Sequence, residues 1–434
     1  MTYDEVLAYL DRLQMHKIKL GLDAMVSFLD SVGRPEKKIK FVHIAGTNGK
    51  GSVCASLSEI LVRAGYRIGV YTSPHLSSVR ERFRIGDQYI SEEEFADLGT
   101  RICTVLGKDK ITYFEFTTAL GLLWFSKSDL DLVLLETGLG GRLDATNVVT
   151  PLVSVITSIS MDHEAYLGNT LTAVAGEKAG IIKPGIPVVS GAVKPEAAAV
   201  IRRVSSDQQA PLFCLGQEFD FHDSGDKTWS WIGAGSFSGH KIEGLYCSRP
   251  SLVNRQNDAL AVAALKLLEH HGFKVSLGDV RAGLGAVKWP GRMEYFELPF
   301  VPGGGIRRYL LDGAHNLDGV INLAETLREK FSYENLICIW GAMADKDLAG
   351  TLAVITPLVD HLILTQPDGE RSASVEYIRD YLSDEKKDGV DCVAAGADAL
   401  ALAESKATDE DLIVIGGSLY LIGAMRSLLL GDLV

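Results

Sequence analysis

Short runs of apolar, often β-branched residues recur along the chain, separated by stretches in which apolar residues return every three or four positions. The runs at 41–45, 67–71, 132–136, 152–157 and 187–190 predict one set of strands, and those at 309–312, 336–340, 361–365 and 412–416 predict a second. Helical spacing predicts helices over 115–125, 257–271 and 317–330. After the first strand, Val53, Leu57, Ile60, Leu61 and Ala64 share one helical face, with Gly65 placed to cap its end. Strands alternating with helices predict an α/β fold built on mainly parallel, helix-covered sheets.

Two strand sets in 434 residues are more than a single core usually serves, so two domains are expected. The Pro-Gly turn in Lys288-Trp289-Pro290-Gly291-Arg292 marks the division. It gives an N-terminal domain over 1–287, a linker over 288–296 and a smaller domain over 297–434. Residues 215–250, richer in Gly, Ser and aromatics, read as a β-hairpin insertion at the end of the first domain. Internal repeats and low-complexity tracts are absent from the sequence.

Composition narrows the partners. Hydrophobic residues at 47% and charged residues at 23% are ordinary for a globular protein. The formal net charge of −13 argues against a nucleic-acid surface, and it requires an anionic substrate to be held by local basic groups. Six scattered cysteines without a C-x-x-C pair favour reduced thiols and a cytoplasmic setting. The N-terminal residues lack a signal-peptide pattern, and no apolar run approaches membrane-spanning length, so no membrane partner is expected.

The chemistry begins at 43–52, His-Ile-Ala-Gly-Thr-Asn-Gly-Lys-Gly-Ser, where a strand runs into a glycine-rich turn, a lysine and a helix start. Such a turn offers consecutive backbone N–H groups to an anion, with the positive end of the helix behind it. Lys50 supplies a point charge for the outer phosphates of a nucleotide. The match to G-x-x-x-x-G-K-[ST] is imperfect: Ile44 stands where the first glycine belongs, and the hydroxyl arrives one position late, at Ser52.

Glu136 ends a strand and is followed by Thr-Gly-Leu-Gly-Gly, the placement of a metal-binding acid in a nucleotide enzyme. Ser73 and His163 follow two further strands of the same set, and a hydroxyl and an imidazole can join a carboxylate around a divalent ion. Lys178, read from its neighbours alone, is a helix lysine with its charge in water. In the second domain Asp312, His315 and Asn316 follow a strand, with Asn316 suited to cap the next helix.

Eight motifs resemble, in order, those of folylpolyglutamate synthase/dihydrofolate synthase, a family of the ATP-dependent Mur ligase superfamily. They are Gly46-Thr-Asn-Gly-Lys-Gly-Ser52, Thr72-Ser-Pro-His-Leu76, Glu136-Thr-Gly-Leu-Gly-Gly-Arg-Leu-Asp-Ala-Thr-Asn147, Asp162-His163, Glu177-Lys-Ala-Gly180, Leu311-Asp-Gly-Ala-His-Asn316 and Gly417-Ser-Leu-Tyr-Leu-Ile-Gly423, with Pro290-Gly-Arg292 between. The resemblance spans nearly the whole chain, and the loop variant is the family's own. It implies a P-loop-type Mur-ligase ATPase domain followed by a Rossmann-like glutamate ligase domain.

The implied reaction is ATP-dependent addition of L-glutamate to dihydropteroate, to the γ-carboxylate of reduced folates, or to both, through an acyl phosphate. Carried over by resemblance, Thr47, Asn48, Gly49, Lys50, Gly51 and Ser52 hold the phosphates, while Asn257, Arg292, Asp312 and His315 contact the nucleotide. Ser73 and Glu136 bind one magnesium, and Glu136 and His163 place a second. The resemblance reverses the plain reading of Lys178, implying an N6-carboxylated side chain at the second metal. Thr112, Phe114 and Asp144 fall where the pterin is held. It also implies a monomer acting on small molecules alone. Two rivals remain at this point: a sister Mur ligase for a cell-wall precursor, and a non-catalytic nucleotide-binding module.

Overall fold

The computed structural model describes all residues except 15–20, 225–227, 250, 301–303 and 370. The chain forms two compact units, the first over 1–74, 79–248 and 254–287, and the second over 75–78, 249–253 and 288–434.

The first unit is built on eight strands: β1 (Phe41–Ala45), β2 (Ile68–Tyr71), β3 (Phe83–Ile85), β4 (Gln88–Tyr89), β5 (Leu132–Glu136), β6 (Val153–Ile156), β7 (Val188–Ser190) and β8 (Leu212–Cys214), in the order β4-β3-β2-β5-β1-β6-β7-β8. All pairs from β2 to β8 are parallel; β3 and β4 add an antiparallel edge. Every residue of β1, β5 and β6 is buried because helices cover both faces, which is why these strands read as unbroken apolar runs. One face packs on helices Lys50–Arg63 and Leu252–Leu268, the other on helices Tyr3–Gln14, Glu92–Leu106 and Tyr113–Phe125.

The described residues within the expected insertion form an antiparallel meander of β9 (Phe219–Asp223), β10 (Thr228–Gly233) and β11 (Lys241–Tyr246), one strand more than the expected hairpin. Trp229 and Trp231 are fully buried on it, and this apolar face ties the meander to the sheet helices.

The second unit carries β12 (Glu294–Pro299), β13 (Ile306–Asp312), β14 (Leu336–Trp340), β15 (His361–Leu364), β16 (Asp391–Cys392) and β17 (Leu412–Gly416), in the order β12-β13-β17-β14-β15-β16. The sheet is parallel apart from the β12–β13 edge pair. Strand β12 begins within the stretch expected to be linker. Its alternating half-buried and exposed residues are those of an edge strand covered on one face.

Candidate active site

Strand register brings the site together. Ile44 pairs with Glu136, Ala45 with Ile156 and Tyr71 with Leu135, so the carboxyl ends of β1, β2, β5 and β6 lie level and their loops meet at one edge. This is where an open parallel sheet binds ligands.

The glycine-rich loop is held from below by the loop after β6. The Thr47 N–H donates to Ser158 O at 2.7 Å. The Thr47 hydroxyl donates to Ser160 O and accepts from Ser160 N, both at 3.0 Å. Asn48 O accepts from the Thr157 and Ser158 hydroxyls at 2.7 and 3.1 Å. Gly49 caps helix Lys50–Arg63 with φ +89°, and a Cβ there would collide with the Asn257 amide. Both facts require glycine, and they place buried Asn257 directly behind the turn. At the far end of that helix the Gly65 and Tyr66 amides return to Val62 O and Leu61 O, the glycine cap its position predicts. Gly51 is half-buried and Ser52 buried at the helix start.

Two lysines converge on a single carbonyl. Lys50 Nζ donates to Gly46 O at 3.1 Å and to Thr47 O at 3.2 Å, and lies 4.0 Å from Glu136 Oε1. Lys178 Nζ donates to the same Gly46 O at 3.0 Å. Lys178 is only 3% exposed, so it is not a solvated helix lysine. Burial, with the Lys50 charge adding to it, brings its pKa down to about 7, against the opposing pull of Asp162 and Asp144. Helix Leu171–Ala179 is pressed against the loop after β5 so that the lysine reaches this point. The Arg142 N–H donates to Glu177 O at 2.7 Å, its guanidinium pairs with the Glu177 carboxylate, and a Cβ at Gly180 would strike Arg142.

Glu136 is 4% exposed, and its Oε2 accepts from the Ser73 N–H at 3.3 Å. His163 follows β6 with φ +51°, and its Nε2 lies 3.9 Å from Asp162 Oδ1. Asp162 is the residue that the sequence reading passed over as a side chain of its own. Its partial burial and its electrostatic reach to Lys178 give it weight. Among the described residues no three His, Cys, Asp or Glu side chains form a metal cage. The set nonetheless fits magnesium, which binds through one or two carboxylates and completes its shell with substrate phosphates and water.

The residues expected at the pterin are engaged internally. The Thr112 hydroxyl accepts from Glu115 N at 3.2 Å and caps helix Tyr113–Phe125. The Phe114 ring packs against Gly138 so closely that a Cβ there would overlap it. Asp144 is 3% exposed and accepts from Gly138 N, Leu139 N, Thr146 N and the Thr146 hydroxyl at 2.9, 2.8, 3.0 and 2.5 Å. These occupy its four acceptor positions.

In the second unit Arg292 and His315 meet at the Gly313 carbonyl, the guanidinium at 3.2 Å and the imidazole Nδ1 at 2.8 Å. The buried Asp312 carboxylate accepts from Met293 N and Ala314 N at 2.9 Å each. Burial raises its pKa, with Arg292 opposing. Asn316 caps helix Leu317–Lys330 through Gly319 N at 3.0 Å, as its position predicts.

Residues 291–419 match the family described as Mur ligase, glutamate ligase domain. The chain is 34% identical over 432 residues to the dihydrofolate synthase/folylpolyglutamate synthase of Bacillus subtilis, covering 94% of this chain and 95% of that one. It belongs to the dihydrofolate synthase/folylpolyglutamate synthase family. The structures of family members agree with this. Escherichia coli FolC in complex with DHPP and ADP superposes with a TM-score of 0.88 at 31% identity, over 99% of this chain and 98% of that one. The Yersinia pestis bifunctional enzyme complexed with AMPPNP and Mn ion gives 0.86 at 32%, over 99% and 98%. The two-unit α/β fold with mainly parallel sheets is thus the Mur ligase fold of this family.

Proposed function

We propose that this family member joins L-glutamate to dihydropteroate and to the γ-carboxylate of reduced folates, using ATP and releasing ADP and phosphate. The observation that carries the reading is the pair of lysines, Lys50 and Lys178, meeting at Gly46 O beside a glycine-rich helix start and the Glu136 carboxylate. A helix start of backbone amides with the Lys50 ammonium beside the Glu136 carboxylate suits a magnesium-bound triphosphate.

The chemical need explains the residues. A carboxylate resists an amine because its charge is spread over two oxygens and its leaving group is poor. Phosphorylation of one oxygen removes both obstacles, and the glutamate amine then displaces phosphate from the acyl carbon. The amides of 49–52 and Lys50 hold the phosphates, with Thr47 and Asn48 fixing the loop. Asn257, Arg292, Asp312 and His315 contact the nucleotide in the same reading. Ser73 and Glu136 would hold one magnesium, and Glu136, His163 and Lys178 a second. Magnesium supplies charge neutralisation at the phosphoryl and acyl oxygens.

Lys178 belongs in that set as its carbamate. An amine with a pKa near 7 is largely neutral at physiological pH. It can attack carbon dioxide, forming an N–C bond and releasing a proton, and the resulting anion lies beside the Lys50 ammonium. Phe114 offers the aromatic acceptor a face, Thr112 orders the helix carrying it, and Asp144 acts through the loop it holds. We read the protein as a cytoplasmic monomer; no helix among the described residues is long and apolar enough to cross a membrane.

The test is a substrate panel. ADP release should require both L-glutamate and either dihydropteroate or tetrahydrofolate, with products heavier by one glutamyl residue. ADP release without an acceptor, or product of unchanged mass, would overturn the reading.

A further inference from the structure

His43 lies in the middle of β1, fully buried, and is absorbed by no part of the mechanism above. Its Nε2 is 2.8 Å from the Thr146 hydroxyl, which is itself 2.5 Å from Asp144 Oδ1. Thr146 has one hydroxyl proton. The short contact to a carboxylate already receiving three backbone N–H groups assigns that proton to Asp144. The Thr146 oxygen must therefore accept from His43, which fixes the imidazole with its proton on Nε2. Nδ1 is left buried without a hydrogen-bond partner. Burial holds the ring neutral, with a pKa near 3, so this polarity does not change across the working pH range.

The chain of donors has a direction and an end. His43 orients Thr146, Thr146 orients Asp144 Oδ1, and Asp144 Oδ2 grips the amides of Gly138 and Leu139. Those amides begin the loop that leaves Glu136, and Gly138 is the surface on which the Phe114 ring lies. We propose that His43 is a positioning residue. Through Thr146 and Asp144 it fixes the 137–141 loop, and with it the seat of the aromatic acceptor against Phe114. The bearing on ligation rests on the function proposed above; the bearing on the loop does not.

Leucine matches the volume of the imidazole and has no donor, while glutamine can place an amide N–H near the Nε2 position. In the full-length protein, His43→Leu should speed hydrogen exchange in a peptide spanning 137–141 about three- to tenfold, the effect of one hydrogen bond. His43→Gln should stay near wild type. In the ligase assay the leucine variant should raise the acceptor KM by a similar factor and leave the ATP KM unchanged. Exchange equal to wild type in His43→Leu, or faster exchange spread evenly over strands of both units, would overturn the relay. Faster loop exchange with an unchanged acceptor KM would overturn its role at the acceptor. If the leucine variant does not fold, Thr146→Val and Thr146→Ser make the same comparison, since serine keeps the hydroxyl and valine removes it.

Discussion

Replacing Lys178 by methionine isolates what its burial costs. The side chain is 3% exposed, and burial with the nearby Lys50 charge brings its pKa from the usual 10.5 to about 7. Between these values the unfolded chain holds a proton that the folded chain lacks, so stability rises with pH across the window from 7 to 10.5. Below pH 7 both states are protonated, and the full penalty of the buried charge, about 5 kcal/mol, applies. Methionine fills similar space and carries no proton. It forfeits the bond that the neutral amine makes to Gly46 O, worth about 0.5–1.5 kcal/mol. The variant should therefore be more stable than wild type by about 3–4 kcal/mol near pH 6.5. By pH 9 the advantage should have shrunk by about 3 kcal/mol. Urea unfolding in CO2-free buffer at the two pH values measures this. Added bicarbonate should stabilise wild type and not the variant, because carbamate formation is linked to the folded state. Parallel pH dependences for the two proteins, or an equal response to bicarbonate, would refute the reasoning. Ligase activity should be lost in the variant at every pH.

Other substitutions probe the remaining parts. Lys50→Ala should lower kcat/KM for ligation by about a hundredfold or more while circular dichroism stays unchanged; near-normal turnover would remove Lys50 from the phosphate site. Gly49→Ala forces a left-handed residue against Asn257 and should cost about 1–3 kcal/mol, with ADP affinity falling alongside; an unshifted melting temperature would contradict the turn geometry. Glu136→Gln keeps the shape and removes the charge, so the magnesium concentration for half-maximal activity should rise about tenfold or more, and an unchanged requirement would place the metal elsewhere.

Helix Leu317–Lys330 and its Asn316 cap follow from apolar spacing and one side chain, and so do β1, β5 and β14 as short apolar runs. Helix Leu252–Leu268 starts five residues before its predicted beginning at 257, since its first turn, Leu252-Val253-Asn254-Arg255-Gln256, carries too few apolar residues to register. The edge strands β3 and β4 are too short, at three and two residues, to show an alternation, and in the six-residue β12 the half-buried Glu294 and exposed Tyr295 break the apolar pattern that burial would otherwise impose. The third strand of the meander appears only when β10 is seen to pair with both β9 and β11, a pairing between residues set by the tertiary fold.

Local chemistry is written in the sequence: the glycine-rich loop, the acid ending its strand, and the motifs that mark the family. Those features depend on neighbours along the chain, where turn geometry and helix starts are decided. Burial and convergence do not. The bonds from Asp144 to the loop after Glu136 reach only five and six positions along the chain, but that Lys178 is desolvated against the carbonyl Lys50 also holds, and that His43 stands behind Thr146, come from tertiary packing that joins residues 132 and 103 positions apart. Only the assembled sheet, with helices excluding water from both of its faces, sets those distances and the proton affinities that follow from them.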